Sequence, residues 1–188
     1  SLGFGDNIYY YYTEPFGPEW SYTAGNEVQS VAISADGEYI AAGSWDSKVY
    51  LFDKDSGTPL WSYETEDTVL SLAISAGGEY IVAGSGDYKV YLFHKDSSTP
   101  LWSYETGHDV YSVAISADGE YIAAGSEDKK IYLFDKDSST PLWNYETGHY
   151  VRSVSISADG EYITAGSDDY KVYLFHKDSS TPLWSYTS

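Results

Sequence analysis

Four histidines, 29 acidic side chains and 21 tyrosines are the groups in this 188-residue chain that offer chemistry. A catalytic or metal site needs its members placed once, in one geometry. His94 and His176 occupy a position that Asp53 and Asp135 fill elsewhere in the chain. A residue interchangeable with Asp in a polar segment reads as a solvated turn residue rather than a general base. Asp53-Lys-Asp55 resembles the opening of a calcium loop, where alternate carboxylates converge on a hard cation. Ser98, Ser139 and Ser180 replace Gly57 in the later copies, so Asp and Ser side chains bonding local N–H groups explain the segment as a turn. Gly3-x-Gly5 does not continue into a phosphate-cradling loop. The run Tyr9–Tyr12 could stack a sugar, but a strand with alternate tyrosines packed accounts for it. No serine has a His and Asp partner set that occurs only once. The sequence thus predicts no catalytic residue, no metal site and no cofactor.

Composition narrows the partners. The chain has no cysteine, hence no disulfide, thiolate nucleophile or thiolate metal site. A net charge of −19 repels nucleic-acid phosphates and anionic membrane surfaces. No apolar run approaches the roughly 20 residues that span a bilayer. The expectation is a protein partner or self-assembly, with no nucleic acid and no membrane insertion.

These residues recur because the chain is a repeat. Trp20, Trp61, Trp102, Trp143 and Trp184 are 41 residues apart, as are Pro59, Pro100, Pro141 and Pro182. A period of about 40–45 residues fits propeller blades or helical repeats. In one copy, Val110–Ser116 is β-rich, Asp118-Gly119 is a hairpin signal, and Tyr121–Ser126 is a second strand whose small residues permit close approach. Ile131–Phe134 and Leu142–Tyr145 follow across polar turns, and no segment keeps a helical period. The predicted fold is an all-β propeller of four-stranded antiparallel blades, with strands A to D in each. Four full blades span 24–64, 65–105, 106–146 and 147–188, after an N-terminal half-blade (strands C and D) over 1–23. That half-blade lacks an A–B pair, so further blades from a longer chain, or a second copy, are expected to complete it.

Gly107-His108, Val110-x-Ser-Val-x-Ile-Ser-x-Asp-Gly119, Gly125-Ser-x-Asp128 and Ile131-x-Leu-Phe-Asp135 together resemble the WD-repeat signature. The resemblance implies a hydrogen-bonded network within a blade: His108, Ser126 and Asp128 in one copy, His149, Ser167 and Asp169 in the next. It implies truncation where Phe134 and Phe175 lack an indole N–H. Leu51-x-Asp53-x-x-x-Gly57-x-x-x-Trp61 is similar to the tryptophan-docking motif of quinoprotein propellers, which implies that Trp20, Trp61, Trp102, Trp143 and Trp184 pack on a neighbouring blade. The quinone-binding members of that group use a vicinal cysteine pair, which this chain lacks.

The copies differ mainly at the D–A loops, at the residue just inside strand A, and at the B–C turns. Strand alternation puts these on one face. Trp45, Tyr88, Tyr111, Tyr150, Arg152 and Tyr170 are the candidate anchors there, since aromatic and Arg side chains dominate interface energetics. The sequence reading is a non-catalytic interaction or cell-surface scaffold of an extracytoplasmic prokaryotic protein. The alternatives are a carbohydrate- or cation-binding propeller with one equivalent site per blade, and a recently amplified or engineered repeat.

Overall fold

The structure is a computed structural model that describes residues 7–10 and 18–187. Strands β1 (Asn7–Tyr10) and β2 (Trp20–Thr23) form an antiparallel pair. The first blade is β3 (Val28–Ile33), β4 (Tyr39–Ser44), β5 (Lys48–Asp53) and β6 (Trp61–Glu64). The second is β7 (Val69–Ile74), β8 (Tyr80–Ser85), β9 (Lys89–His94) and β10 (Trp102–Glu105). The third is β11 (Val110–Ile115), β12 (Tyr121–Ser126), β13 (Lys130–Asp135) and β14 (Trp143–Glu146). The fourth is β15 (Val151–Ile156), β16 (Tyr162–Ser167), β17 (Lys171–His176) and β18 (Trp184–Thr187). Each blade is a four-stranded antiparallel sheet in chain order, and no helix occurs among the described residues. Strand boundaries shift from the sequence reading by a residue: strand C of the third blade is Lys130–Asp135, and strand D is Trp143–Glu146. Gly3–Asp6 and Tyr11–Tyr12, read above as parts of the half-blade, lie outside the described residues.

Two local features shape each blade. Gly37, Gly78, Gly119 and Gly160 take φ near +75° in the A–B turn, at 76, 74, 80 and 73°, a conformation that costs a residue with a Cβ. Strand A carries a bulge. Val110 pairs with Ser126 and Ser112 with Gly125, so Tyr111 is left unpaired between them. The same skip strands Gln29, Leu70 and Arg152.

The core lies between blades rather than within them. Val69, Leu72, Ile81 and Phe93 of the second blade pack on Ala41, Val49 and Leu51 of the first, and the next two interfaces repeat this packing. Each close approach depends on a glycine. A methyl built on Gly43 would lie 2.5 Å from Val69 Cγ1, and one on Gly84 or Gly125 would lie 2.7 or 2.6 Å from Val110 or Val151 Cγ1. Polar bonds fix the register: the Leu72, Val113 and Val154 amides donate to Ser30, Ser71 and Ser112 Oγ. On the outer side, the indoles of Trp20, Trp61, Trp102 and Trp143 donate 2.7 Å bonds to the carbonyls of Lys54, Lys95, Lys136 and Lys177. Contacts between A strands run β3 to β7, β7 to β11 and β11 to β15.

Candidate recognition rim

The D–A loops and B–C turns are fastened to one another by an Asp in every blade. In the third blade, Asp128 accepts from the Gly107 amide at 2.8 Å, from the Lys130 amide at 2.9 Å, and from the Tyr132 hydroxyl. Ser126 Oγ donates to the His108 carbonyl at 3.0 Å and accepts from the Asp128 amide at 3.1 Å. Asp169, Ser167 and Tyr173 repeat this around the His149 carbonyl, and Asp46–Tyr50 and Asp87–Tyr91 do so in the first two blades. His108 and His149 thus join the network through their backbone carbonyls. The tyrosine hydroxyl of strand C supplies the donor that Phe134 and Phe175 lack, so the network is not truncated there. Burial, with the neighbouring Asp, raises the phenols of Tyr50, Tyr91, Tyr132 and Tyr173 far above their ordinary range. Burial alone would raise Asp169, but Tyr173 and the Gly148 and Lys171 amides outweigh it and leave that carboxyl below its usual value.

On this frame the side chains that differ between copies come together. The bulge turns Tyr111 and Arg152 out of the ladder, as bulges do when they re-aim a residue. The Arg152 guanidinium lies 4.5 Å from the centre of the Tyr111 ring and 5.2 Å from that of Tyr150. Its Nε donates to Asp168 at 2.7 Å, and that bond raises its pKa further. The Tyr111 hydroxyl donates to Glu127, and burial together with this acceptor raises its pKa against the opposing pull of Arg152. Glu127 is 3.3 Å from His108 Nδ1, the His108 ring packs tilted against Tyr88 with centroids 4.9 Å apart, and His149 packs tilted against Tyr150 at 4.3 Å. Five of the candidate anchors and both loop histidines therefore lie along the second to fourth blades, with Tyr170 at their far end, 74% exposed. Trp45 sits in the first blade's B–C turn and is 43% exposed.

Sequence reasoning missed two features. The bulge has no marker of its own in the residues. Among the described residues, the carboxylate and imidazole ligand atoms of His108, Asp109 and Glu127 lie within 4.8 Å of one another and form a group that could hold a cation. In the structure their atoms are already engaged: His108 Nδ1 accepts the Asp109 amide at 2.9 Å, and Glu127 accepts Tyr111. The tryptophans of the docking motif sit against the next blade, with Trp61 on Phe93, Trp102 on Phe134 and Trp143 on Phe175 at 5.2–5.4 Å between centroids. Trp184 is half exposed.

Comparison with known proteins matches the sheet pattern. Residues 45–188 fit the family model described as outer membrane protein assembly factor BamB. Residues 18–53 fit that of the WD domain, G-beta repeat. No curated protein gives a significant match. With most of its length covered by one family model and its blades built on docked tryptophans, the chain belongs to the BamB-like family of propeller repeats.

Proposed function

We propose that this chain is a non-catalytic interaction scaffold that grips a protein partner with the rim formed by its D–A loops and B–C turns. The observation that carries the reading is the Tyr111–Arg152–Tyr150 stack beside Tyr88 and His108. It stands where the repeats diverge, on a frame of Ser, Asp and Tyr bonds that the repeats share. Stacked aromatic rings and an Arg are the groups that anchor protein interfaces when desolvated. With a net charge of −19 around it, the rim favours a partner with a cationic surface, and association should weaken as salt rises. The family's cell-envelope role supports a site of action outside the cytoplasm for this chain too.

Wild-type protein and a Trp45→Ala, Tyr111→Ala variant, each immobilised, would be offered extract of the native cell. The expected result is a saturable protein partner whose recovery falls at least tenfold with the variant, the loss of roughly 1.4 kcal/mol or more typical of anchor truncation. Equal recovery by both proteins would count against the rim.

A further inference from the structure

Three of the four A–B turns carry an Asp-Gly pair: Asp36-Gly37, Asp118-Gly119 and Asp159-Gly160. All three carboxyls are exposed to water. An Asp-Gly bond can react with itself, because no side chain shields the glycine amide. The glycine nitrogen bonds to the aspartate Cγ and gives up its proton, and a carboxyl oxygen leaves as water. Hydrolysis of the resulting succinimide at its main-chain carbonyl takes the water back and yields isoaspartate, with one extra carbon in the main chain. The first step needs a protonated carboxyl and an amide free to turn onto it.

In the fold both requirements are withheld. Asp118 Oδ1 accepts the Ser116 hydroxyl at 2.6 Å and the Glu120 amide at 3.0 Å. Ser34 and Glu38 hold Asp36 at 2.5 and 3.1 Å, and Ser157 and Glu161 hold Asp159 at 2.5 and 3.1 Å. Bonds of this kind favour the charged form, and they keep the three carboxyls below their usual range, the serine hydroxyl contributing most. The attacking nitrogens are engaged as well. The Gly37, Gly119 and Gly160 amides donate to the carbonyls of Ser34, Ser116 and Ser157 at 2.9, 3.0 and 2.8 Å.

The second blade separates this arrangement from the making of the turn. There Gly77 replaces the aspartate. Gly78 still takes a φ of 74°, its amide still donates to the Ser75 carbonyl at 2.9 Å, and the Tyr80 amide still donates to Ser75 Oγ at 3.0 Å. The serine oxygen therefore serves the turn as an acceptor, and its hydroxyl proton is left for the carboxylate where there is one. We infer that Asp36, Asp118 and Asp159 are sites of spontaneous isomerisation held closed by the fold, and that Ser34, Ser116 and Ser157 are their guards. Opening one has a structural consequence. A Cβ built on Gly119 or Gly160 lies 2.5 Å from the ring of Tyr80 or Tyr121 in the preceding blade. Beside them the Ala76 and Ala117 amides donate across the blade interfaces to the Ala117 and Ala158 carbonyls at 2.9 and 3.0 Å. An extra main-chain carbon at Asp118 or Asp159 would push the turn off both contacts.

The full chain and its Ser116→Ala variant would be aged at about 37 °C and about pH 5, where an ordinary Asp carboxyl still holds a proton a few per cent of the time. Isoaspartate at each site is then read by electron-transfer mass spectrometry of the digested protein. The folded wild type should isomerise far more slowly at all three sites than the same chain in concentrated urea. Ser116→Ala should speed the reaction at Asp118 by about tenfold, the weight of one hydrogen bond to a charged acceptor. Asp36 and Asp159 in the same molecules should keep the wild-type rate, which separates loss of the guard from loosening of the whole fold. Asp118→Gly, which copies the second blade's turn, should fold with unchanged far-UV circular dichroism. Equal rates in the folded and urea-unfolded wild type, an unchanged rate at Asp118 in Ser116→Ala, acceleration at all three sites together, or loss of the fold in Asp118→Gly overturns the inference.

Discussion

Asp128 holds two backbone amides and the Tyr132 hydroxyl at once, which makes its carboxylate the hinge pin between a loop and a turn. A hydrogen bond to a charged acceptor contributes about 1.5–3 kcal/mol, so Tyr132→Phe should lower unfolding stability by about that much in a denaturant titration. The phenols of Tyr50, Tyr91, Tyr132 and Tyr173 are raised in the folded chain and return to about 10 when unfolded. The folded form therefore keeps protons that the unfolded form releases. The stability they confer is complete below pH 10 and is lost as the pH climbs above it. Melting temperature should fall from pH 10 upward, by less in the Tyr132→Phe variant. At this scale Ser126 and Asp128 were legible, because their spacing after Gly125 matches a known signature. The tyrosine was not: a hydroxyl four residues after the Asp looks like any alternating strand residue until the turn folds it back. The grouping of Tyr111 with Arg152, 41 positions apart, was hidden for a related reason, since it needs both the packing of adjacent A strands and the bulge that turns each residue outward.

The strands are held to one another across the blade interfaces by small residues. Gly84 is the tightest to alter, because a methyl there would meet both the Val110 side chain and its backbone carbonyl, at 2.7 and 2.9 Å. Backbone cannot yield as a side-chain tip does. Gly84→Ala should cost about 1–3 kcal/mol, the usual range for overpacking. In a chain of this size that lowers the melting temperature by roughly 2–4 °C per kcal/mol, read by calorimetry. The close approach was foreseeable from the Ala-Gly-Ser runs of strand B, and the turns from Asp-Gly. The strand ends moved by a residue because Lys130 and Asp135, polar and thus easily assigned to turns, still complete the ladder opposite Glu146 and Tyr121. The bulge escaped notice because two residues opposing one leaves no trace in a single strand's alternation.

For the whole molecule, a gap-free period of 41 residues carried the architecture, since only a neighbour can cover the apolar flanks of so thin a sheet. What the period leaves open is everything that breaks it: which partner the rim meets, and what lies against the outermost flank. Those depend on residues that no interior packing constrains. Because the main contacts of the described blades are with the blades beside them, the molecule behaves as a short nearest-neighbour chain. Cooperativity is then spent from the ends inward. Amide hydrogens of β15 to β18 should exchange fastest and those of β8, β9, β12 and β13 slowest, with a gradient rather than one global rate. Hydrogen–deuterium exchange resolved by mass spectrometry would show this as fraying that begins at Trp184, where the indole is half in water, and dies out two sheets away.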